Sequence, residues 1–272
     1  MLRSLRGLEG YRVSATDGEI GRVVNFLLDE QGWTVRYLVV ETSFLEGRRV
    51  LISPISFGTA DWSTHRFHVA LTVEKVKNSP TIDTDKPVSR QHERAYHGYY
   101  GYPYYWGYSG LWGMGDYPGL LSIDGRNASS ARNDDRIEER SGDAHLRSAV
   151  ELRGYHIQGS DEAVGHVDDF IVDDETWEVR YLAIDTSNWW FGKKVLVAPA
   201  WAKDVSWADR KVYVDMSRRA IKESPEWDPN APVNREYEAR LYDYYGRPVY
   251  WASGEHGQTP PHVPRSHPGH PG

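Results

Sequence analysis

Short runs of β-branched and aromatic residues, separated by polar turn segments, recur along the chain. The run VRYLVVET at 35–42 is apolar or β-branched over most of its length, which is typical of a half-buried or buried strand. Similar runs predict further strands, at VVNFLLDE (23–30), RRVLISP (48–54) and HRFHVALT (65–72). Because these strands are short and closely spaced, they favour a small antiparallel barrel or sandwich over βαβ units.

The same pattern occurs a second time. The segment WTVRYLVVETS at 33–43 returns as WEVRYLAIDTS at 177–187, an offset of 144 (177 − 33). After a loop that is one residue longer in the second copy, the offset becomes 145, so that YYGYPYYW at 99–106 matches YYGRPVYW at 244–251. A period of this length exceeds the roughly 20–50 residues of a solenoid unit. It therefore predicts a duplicated domain, with second-copy strands at HVDDFIVDD (166–174), KKVLVAP (193–199) and RKVYVDMS (210–217).

One short helix is predicted after the last strand of each copy. Thr72 and Ser217 stand where an N-cap is expected, and Ser-Pro pairs at 79–80 and 224–225 end the helices. The predicted fold is mostly β, with two small antiparallel β-barrels, each followed by a short helix and an aromatic arm. The predicted domains are a first repeat with its arm (1–108), a flexible linker (109–145), a second repeat with its arm (146–251) and a disordered tail rich in His, Pro and Gly (252–272).

The order and spacing of Gly, Asp, Tyr and Pro in each copy resemble the PRC-barrel domain. In the first copy the matching residues are Gly10, Asp17, Gly18, Gly21, Val23, Asp29, Arg36, Tyr37, Leu38 and Pro54. In the second copy they are Gly154, Gly165, Val167, Asp173, Arg180, Tyr181, Leu182 and Pro199. The second copy departs from the pattern at Asp161 and Glu162, where the turn glycine is lost.

The resemblance implies a compact barrel used as an adaptor. Such barrels occur in the cytoplasmic part of the H subunit of photosynthetic reaction centres and in the C-terminal half of a ribosome maturation factor. Some stand-alone bacterial members are linked to stress responses. Neither specific function carries over to this chain residue by residue.

Composition narrows the classes of function. The formal net charge of −7 argues against a nucleic-acid partner, which requires a basic face. The chain has no cysteine, which excludes disulfides and thiolate chemistry. It has no run of about 18 apolar residues, so no transmembrane segment is predicted, and its N-terminus lacks a signal-peptide core. We therefore expect a cytoplasmic protein, with the cytoplasmic face of a membrane complex as one option.

Candidate catalytic and metal-binding residues are few. His166 and Asp168 are two apart on a predicted strand and share a face, so they form a weak ionisable pair for which a solvated ion pair is the favoured interpretation. Asp168 and Asp169 point to opposite faces, and Asp173 with Asp174 occupies a turn. Histidines in the tail, at His256, His262, His267 and His270, have no fixed geometry. No nucleotide-binding or hydrolase motif is present, and the expectation is a protein that is not an enzyme and has no cofactor or metal.

The aromatic arms are the remaining candidate site. Tyr, Trp and Pro supply large rigid contact area, and the candidate interaction residues are Tyr100, Pro103, Tyr105, Trp106, Tyr245, Pro248, Tyr250 and Trp251. The alternative is that each arm folds back onto a barrel as a structural cover. Both copies retain Gly, Pro and Trp, which favours the interpretation that the arms are structural covers. Pro and Gly also predict that each arm has one defined, extended conformation.

The predicted function is a non-catalytic adaptor or protein-binding module, with stress response as one setting. The first alternative is a barrel docked on a membrane complex, as in the reaction-centre H subunit, where it would influence electron or proton transfer. The second is an adaptor in RNA processing or on the ribosome. The partner is not identified by the sequence, and both packing of the two barrels on each other and homo-oligomers remain open.

Overall fold

The structure is a computed structural model that describes residues 1–43, 47–80, 88–106, 108, 110–118, 144–186 and 192–252. The fold is mostly β. The strands of the first half are β1 (Leu2–Ser4), β2 (Arg12–Ser14), β3 (Glu19–Asp29), β4 (Thr34–Thr42), β5 (Arg49–Ile52), β6 (Phe57–Asp61), β7 (Arg66–Val69) and β8 (Val88–Ser89). The strands of the second half are β9 (Ala144–Ser148), β10 (His156–Gln158), β11 (Ala163–Asp173), β12 (Val179–Asp185), β13 (Lys194–Val197), β14 (Ala202–Ser206) and β15 (Lys211–Val214). Each strand predicted from the sequence is present.

The two halves have the same strand order. It is β5-β4-β3-β2-β7-β6 in the first sheet and β13-β12-β11-β10-β15-β14 in the second. The expectation of purely antiparallel, closed barrels is not met. The β2–β7 and β10–β15 pairs are parallel, and the described residues contain no ladder that joins β5 to β6 or β13 to β14. A 3-10 turn, at Pro54–Ser56 and at Pro199–Trp201, connects these end strands instead.

The long central strands depend on one glycine each. Gly21 lies where β3 passes close to β4, and a Cβ atom there would stand 1.9 Å from the carbonyl oxygen of Glu41. At Gly165 the corresponding distance to the carbonyl oxygen of Asp185 is 2.1 Å. No side chain fits at such separations, which explains why both copies have glycine at this position.

The halves exchange their first strands. Strand β1 pairs with β11 of the second half, and β9 pairs with β3 of the first half. The buried apolar side chains of both halves form one continuous core. The two sheets are therefore joined by backbone hydrogen bonds as well as by side-chain packing.

In the part of the chain that the structure describes, six α-helices connect or cover the sheets. They are α1 (Leu5–Leu8), α2 (Val73–Lys77), α3 (Arg90–Tyr100), α4 (Ala149–Leu152), α5 (Arg218–Glu223) and α6 (Arg235–Tyr245). Helices α2 and α5 begin at the predicted caps, where the Thr72 and Ser217 hydroxyls accept hydrogen bonds from backbone amides. None of the helices among the described residues combines the length and apolarity needed to cross a membrane.

Helices α3 and α6 were not predicted, and they correct the interpretation of the aromatic phrase. The paired tyrosines that open the phrase are the last residues of these helices, not part of an extended arm. Gly101 (φ 75°) and Gly246 (φ 60°) then adopt the left-handed conformation that ends a helix. Only the segment that begins at each glycine forms the arm.

The boundaries of the predicted linker also need correction. Trp112, inside the predicted linker of 109–145, is buried, and residues 144–148 form β9. A large aromatic side chain has enough apolar surface to hold a glycine-rich segment against the protein. Within the predicted linker, residues 109 and 119–143 lie outside the described residues, as do residues 253–272 of the predicted tail.

Candidate functional site: the aromatic arms

The first arm (101–118) and the second arm (246–252) each follow a helix that buries one face. In α3 the buried residues are Glu93, Tyr96, His97 and Tyr100, a spacing of i, i+3, i+4 and i+7 that defines a single helical stripe. The buried stripe of α6 includes Glu238, Leu241 and Tyr242 at the equivalent positions. Each helix therefore carries a carboxylate into the protein interior.

In the first half that carboxylate belongs to Glu93, which is 1% exposed. The Tyr105 hydroxyl donates a hydrogen bond to Glu93 Oε1 (2.7 Å), and the Tyr37 hydroxyl lies 3.0 Å from the same oxygen. Arg90 Nη1 is 3.0 Å from Glu93 Oε2. Burial, followed by the charge of Glu93, raises the pKa of both tyrosines well above the usual value. Both phenols consequently stay protonated and act as donors.

His97 adds a second acceptor for Tyr37. Its Nδ1 lies 2.8 Å from the Pro103 carbonyl oxygen, and its Nε2 lies 2.8 Å from the Tyr37 hydroxyl. Because a carbonyl only accepts, Nδ1 carries the proton, and the neutral ring presents Nε2 as an acceptor. Burial lowers the pKa of His97 to about 4. At neutral pH the single Tyr37 hydroxyl proton is thus shared between His97 and Glu93.

The second half repeats the cluster without the histidine. Both Tyr181 and Tyr250 donate to Glu238 Oε1, at 2.7 and 2.9 Å, and Arg235 Nη1 lies 3.0 Å from Glu238 Oε2. Tyr242 occupies the position of His97 (97 + 145 = 242). In both halves the second tyrosine belongs to the arm, so the buried glutamate ties the arm to the sheet.

The first arm is held by an additional group, the guanidinium of Arg36. Arg36 Nε and Nη2 contact Asp29 Oδ2 at 3.2 and 3.0 Å, and Nη1 donates to the Leu111 carbonyl at 2.6 Å. The guanidinium also lies 3.8 Å from the Tyr105 ring centroid and 4.9 Å from that of Trp112. Burial by itself would raise the pKa of Asp29, but Arg36 and two backbone amides lower it overall.

The structure divides the candidate interaction residues by exposure. Tyr100 and Tyr105 are buried, so they belong to the packed part of the protein. Those that retain partial or full exposure are Pro103, Trp106, Tyr245, Pro248, Tyr250 and Trp251. Trp106 and Trp251 lie over equivalent arginines, with the guanidinium of Arg90 4.3 Å and that of Arg235 4.2 Å from the ring centroids.

The most exposed apolar side chains of the first arm lie beyond the repeated phrase. They are Tyr108 (52%), Met114 (72%) and Tyr117 (50%), which we call the aromatic patch. The backbone around them is ordered by its own hydrogen bonds, from the amide of Gly110 to the carbonyl of Gly113 and from the amide of Trp112 to the carbonyl of Gly115. Sequence reasoning missed this segment because its glycine-rich composition matches a linker.

The candidate pair of His166 and Asp168 is not an ion pair, which corrects the favoured interpretation. Asp168 instead contacts Arg6 and Lys194, with N–O distances of 3.0 and 2.5 Å. The register of β11 shifts between Val167 and Asp169, and this irregularity removes the strict alternation on which the prediction depended.

The neighbouring acidic residues have structural contacts. Asp169 accepts hydrogen bonds from the Ser4 hydroxyl and the Arg6 amide, and burial raises the pKa of its carboxyl group. Asp173 accepts from the amides of Glu175 and Thr176 in a turn. Among the described residues no group of three or more His, Asp or Glu side chains is arranged to hold a metal ion. The tail histidines lie outside the described residues.

One protein family matches part of the chain. Residues 145–220 match the model of the PRC-barrel domain, a range that includes β10 to β15. No curated protein matches the chain. The second half is thus similar to PRC-barrel domains over the strands that the sequence resemblance used.

Proposed function

We propose that the chain is a tandem pair of PRC-barrel domains and acts as a non-catalytic adaptor that binds a protein partner. Support for the tandem comes from the match at 145–220 and from the equal strand order of the two sheets. The offset of 144 to 145 residues aligns the first half with the matched half throughout. The setting of the adaptor, including any role in stress responses, is part of this proposal.

The observation that carries the binding role is the aromatic patch. Tyr108, Met114 and Tyr117 are each at least half exposed. Tyr and Met are enriched at protein interfaces, and these three exposed side chains lie within one stretch of ten residues, which makes this segment the candidate contact surface. At the equivalent positions of the repeat the sequence has Ser253, Thr259 and His262 (offset 145), so the three apolar side chains are particular to the first half.

The patch is presented on a fixed support. Trp112 anchors the middle of the segment in the protein interior, and the Leu111 amide donates to Asp116 Oδ1 at 3.2 Å. Side chains on an ordered support lose little conformational entropy when they bind, which favours affinity. The buried clusters around Glu93 and Glu238 hold the arms against the sheets, and they present no reacting group at the surface.

The test compares capture of host proteins by three full-length proteins. They are the parent, a Met114→Asp/Tyr117→Asp variant, and a control, Val150→Asp, which places one aspartate at a half-exposed apolar site elsewhere. We expect one or more proteins to bind the parent and the control but not the patch variant, with unchanged melting of all three. Purified partner should then bind the parent at least tenfold more tightly than the patch variant. If every captured protein binds all three equally, the patch is not the binding surface.

A further inference from the structure

The two halves are related by a pseudo-two-fold axis that passes between equivalent residues. Thr34 and Glu178 form an antiparallel bridge, and they occupy the same position of the repeat (178 − 34 = 144). The Val35 amide donates to the Trp177 carbonyl at 2.9 Å, and the Val179 amide donates to the Trp33 carbonyl at 2.7 Å. A residue meets its own counterpart only on a two-fold axis.

Contacts away from the axis occur in symmetric pairs. Leu2 is opposite Asp173 where β1 joins β11, and Leu146 is opposite Asp29 where β9 joins β3. The ion pair between Arg3 and Asp174 has a counterpart between Arg147 and Glu30, with N–O distances of 2.6 and 3.1 Å. This is the arrangement of a strand-exchanged homodimer, built within one chain.

Residues at the axis have diverged so that they complement each other. Glu9 and Arg153 are counterparts (153 − 9 = 144), and they form an ion pair with side chains that are only 28% and 15% exposed. If the first half paired with another first half, the same axis would set Glu9 against Glu9. A pair of second halves would set Arg153 against Arg153. Either contact places like charges together in a partly desolvated site.

The shape of the interface has diverged as well. Trp177 is buried against Phe57 and Phe67 of the first half, with ring centroids 5.2 and 6.0 Å apart. The residues at those two positions in the second half are Ala202 and Val212 (57 + 145 and 67 + 145). A pair of second halves would therefore leave Trp177 facing two small side chains, with space in the core.

We infer that this surface is an interaction surface specific for the opposite half, and that its occupant is the other half of the same chain. The Glu9–Arg153 pair disfavours both pairings of like halves, and the Trp177 contact in addition disfavours a pair of second halves. The chain is in this respect a closed pseudo-dimer, and its exchanged strands are not available to a homotypic partner. This inference is independent of the proposed adaptor role.

The first test reverses the charges at the axis in the full chain. We expect Glu9→Arg and Arg153→Glu each to lower the thermal midpoint by roughly 4–8 °C. The double variant Glu9→Arg/Arg153→Glu should recover at least half of the combined loss, because the attractive pair is restored in the opposite orientation. A double variant that melts as low as the sum of the two losses would overturn the charge selection.

A second test does not depend on melting. The chain has no cysteine, so Glu9→Cys, Arg153→Cys and the double variant introduce the only thiols. With a short bismaleimide cross-linker, the double variant should link within one chain and remain monomeric in mass. The single variants should give no covalent dimer. A covalent dimer from either single variant would show a half meeting its own copy at the axis, and the inference would be wrong.

Discussion

The indole Nε1 of Trp112 donates a hydrogen bond to the carbonyl oxygen of Thr176, with a nitrogen–oxygen distance of 2.7 Å. Trp112 belongs to the first arm, whereas Thr176 lies in the turn between β11 and β12 of the second half. The bond therefore connects the first arm to the second sheet. The tryptophans of the repeated phrase, Trp106 and Trp251, instead make edge-to-face contacts with the rings of His97 and Tyr242 in their own half.

Replacement of Trp112 by alanine should destabilise the whole protein. Trp112 is buried, and truncation of a buried tryptophan costs about 3–5 kcal/mol. Trp112→Phe keeps most of the apolar contact but loses the hydrogen bond, so a smaller loss of about 1–2 kcal/mol is expected. Unfolding in urea measures the loss of stability in each variant. Equal losses for Trp112→Ala and Trp112→Phe would contradict the burial of the Trp112 ring.

The tryptophans of the repeated phrase should contribute less to the stability of the protein than Trp112 does. Trp106 and Trp251 are partly exposed, and each contacts a tyrosine or histidine ring and an arginine. We expect Trp106→Ala and Trp251→Ala each to lower the free energy of unfolding by about 1–2 kcal/mol. Tyr117→Ala, at an exposed site, is the control. If both tryptophan variants melt like the parent, these side chains are free surface and join the aromatic patch as candidate contacts.

The buried clusters can be compared through one substitution made at equivalent positions. Tyr37 contacts both Glu93 and His97, whereas the Tyr181 hydroxyl donates to Glu238. Tyr37→Phe and Tyr181→Phe should each destabilise the protein, by about 1–3 kcal/mol, because a buried acceptor loses its donor. The larger loss is expected for Tyr37, which serves two acceptors. A neutral effect at both sites would show that water replaces the hydroxyls.

His97 predicts a dependence of stability on pH. Burial lowers its pKa from 6.5 to about 4 in the folded protein, so the unfolded chain binds the proton first as the pH falls. The stability associated with neutral His97 is complete above pH 6.5 and is lost progressively toward pH 4, to a total of roughly 3 kcal/mol.

The variant His97→Tyr provides the control for this effect, because tyrosine is the residue at the equivalent position, 242. The free energy of unfolding should fall less between pH 7 and pH 4.5 in the variant than in the parent. Parallel pH profiles for the two proteins would show that His97 is not the group responsible.

Two glycines with opposite environments give a matched pair of substitutions. A Cβ at Gly21 would lie 1.9 Å from the Glu41 carbonyl oxygen, whereas a Cβ at Gly98 in α3 would meet no atom within 4 Å. Gly21→Ala should therefore abolish stable folding or cost more than 3 kcal/mol. Gly98→Ala should stabilise the protein by about 0.5–1 kcal/mol, because alanine favours helix. Thermal melting separates the two, and a tolerated Gly21→Ala would mean that β3 and β4 can move apart.

The exposure of the candidate residues followed only in part from the sequence. Retention of the phrase in both halves indicated packing, which holds for Tyr100 and Tyr105. Glu93 and Glu238 were missed because charged residues are expected at the surface. A signal was available, since Arg90 with Glu93 recurs as Arg235 with Glu238 at the same i, i+3 spacing.

The sequence by itself determined the local features of this protein. The strand at 34–42 follows from its β-branched and aromatic residues, and α2 and α5 begin where Thr72 and Ser217 provide a cap. These features depend on residues close together in the chain. The duplication was evident from identical residues at a constant offset in the sequence. The order of the strands in each half is consistent between the copies for the same reason.

Only the tertiary structure decided which half each first strand joins. Residues Leu2–Ser4 are a short segment with no distinctive pattern, and their partner in β11 lies about 170 residues away in the chain. The opposite charges of Glu9 and Arg153 acquire meaning only when the fold sets these two positions against each other. Pairing between distant segments depends on the whole assembled surface, which local propensity does not encode.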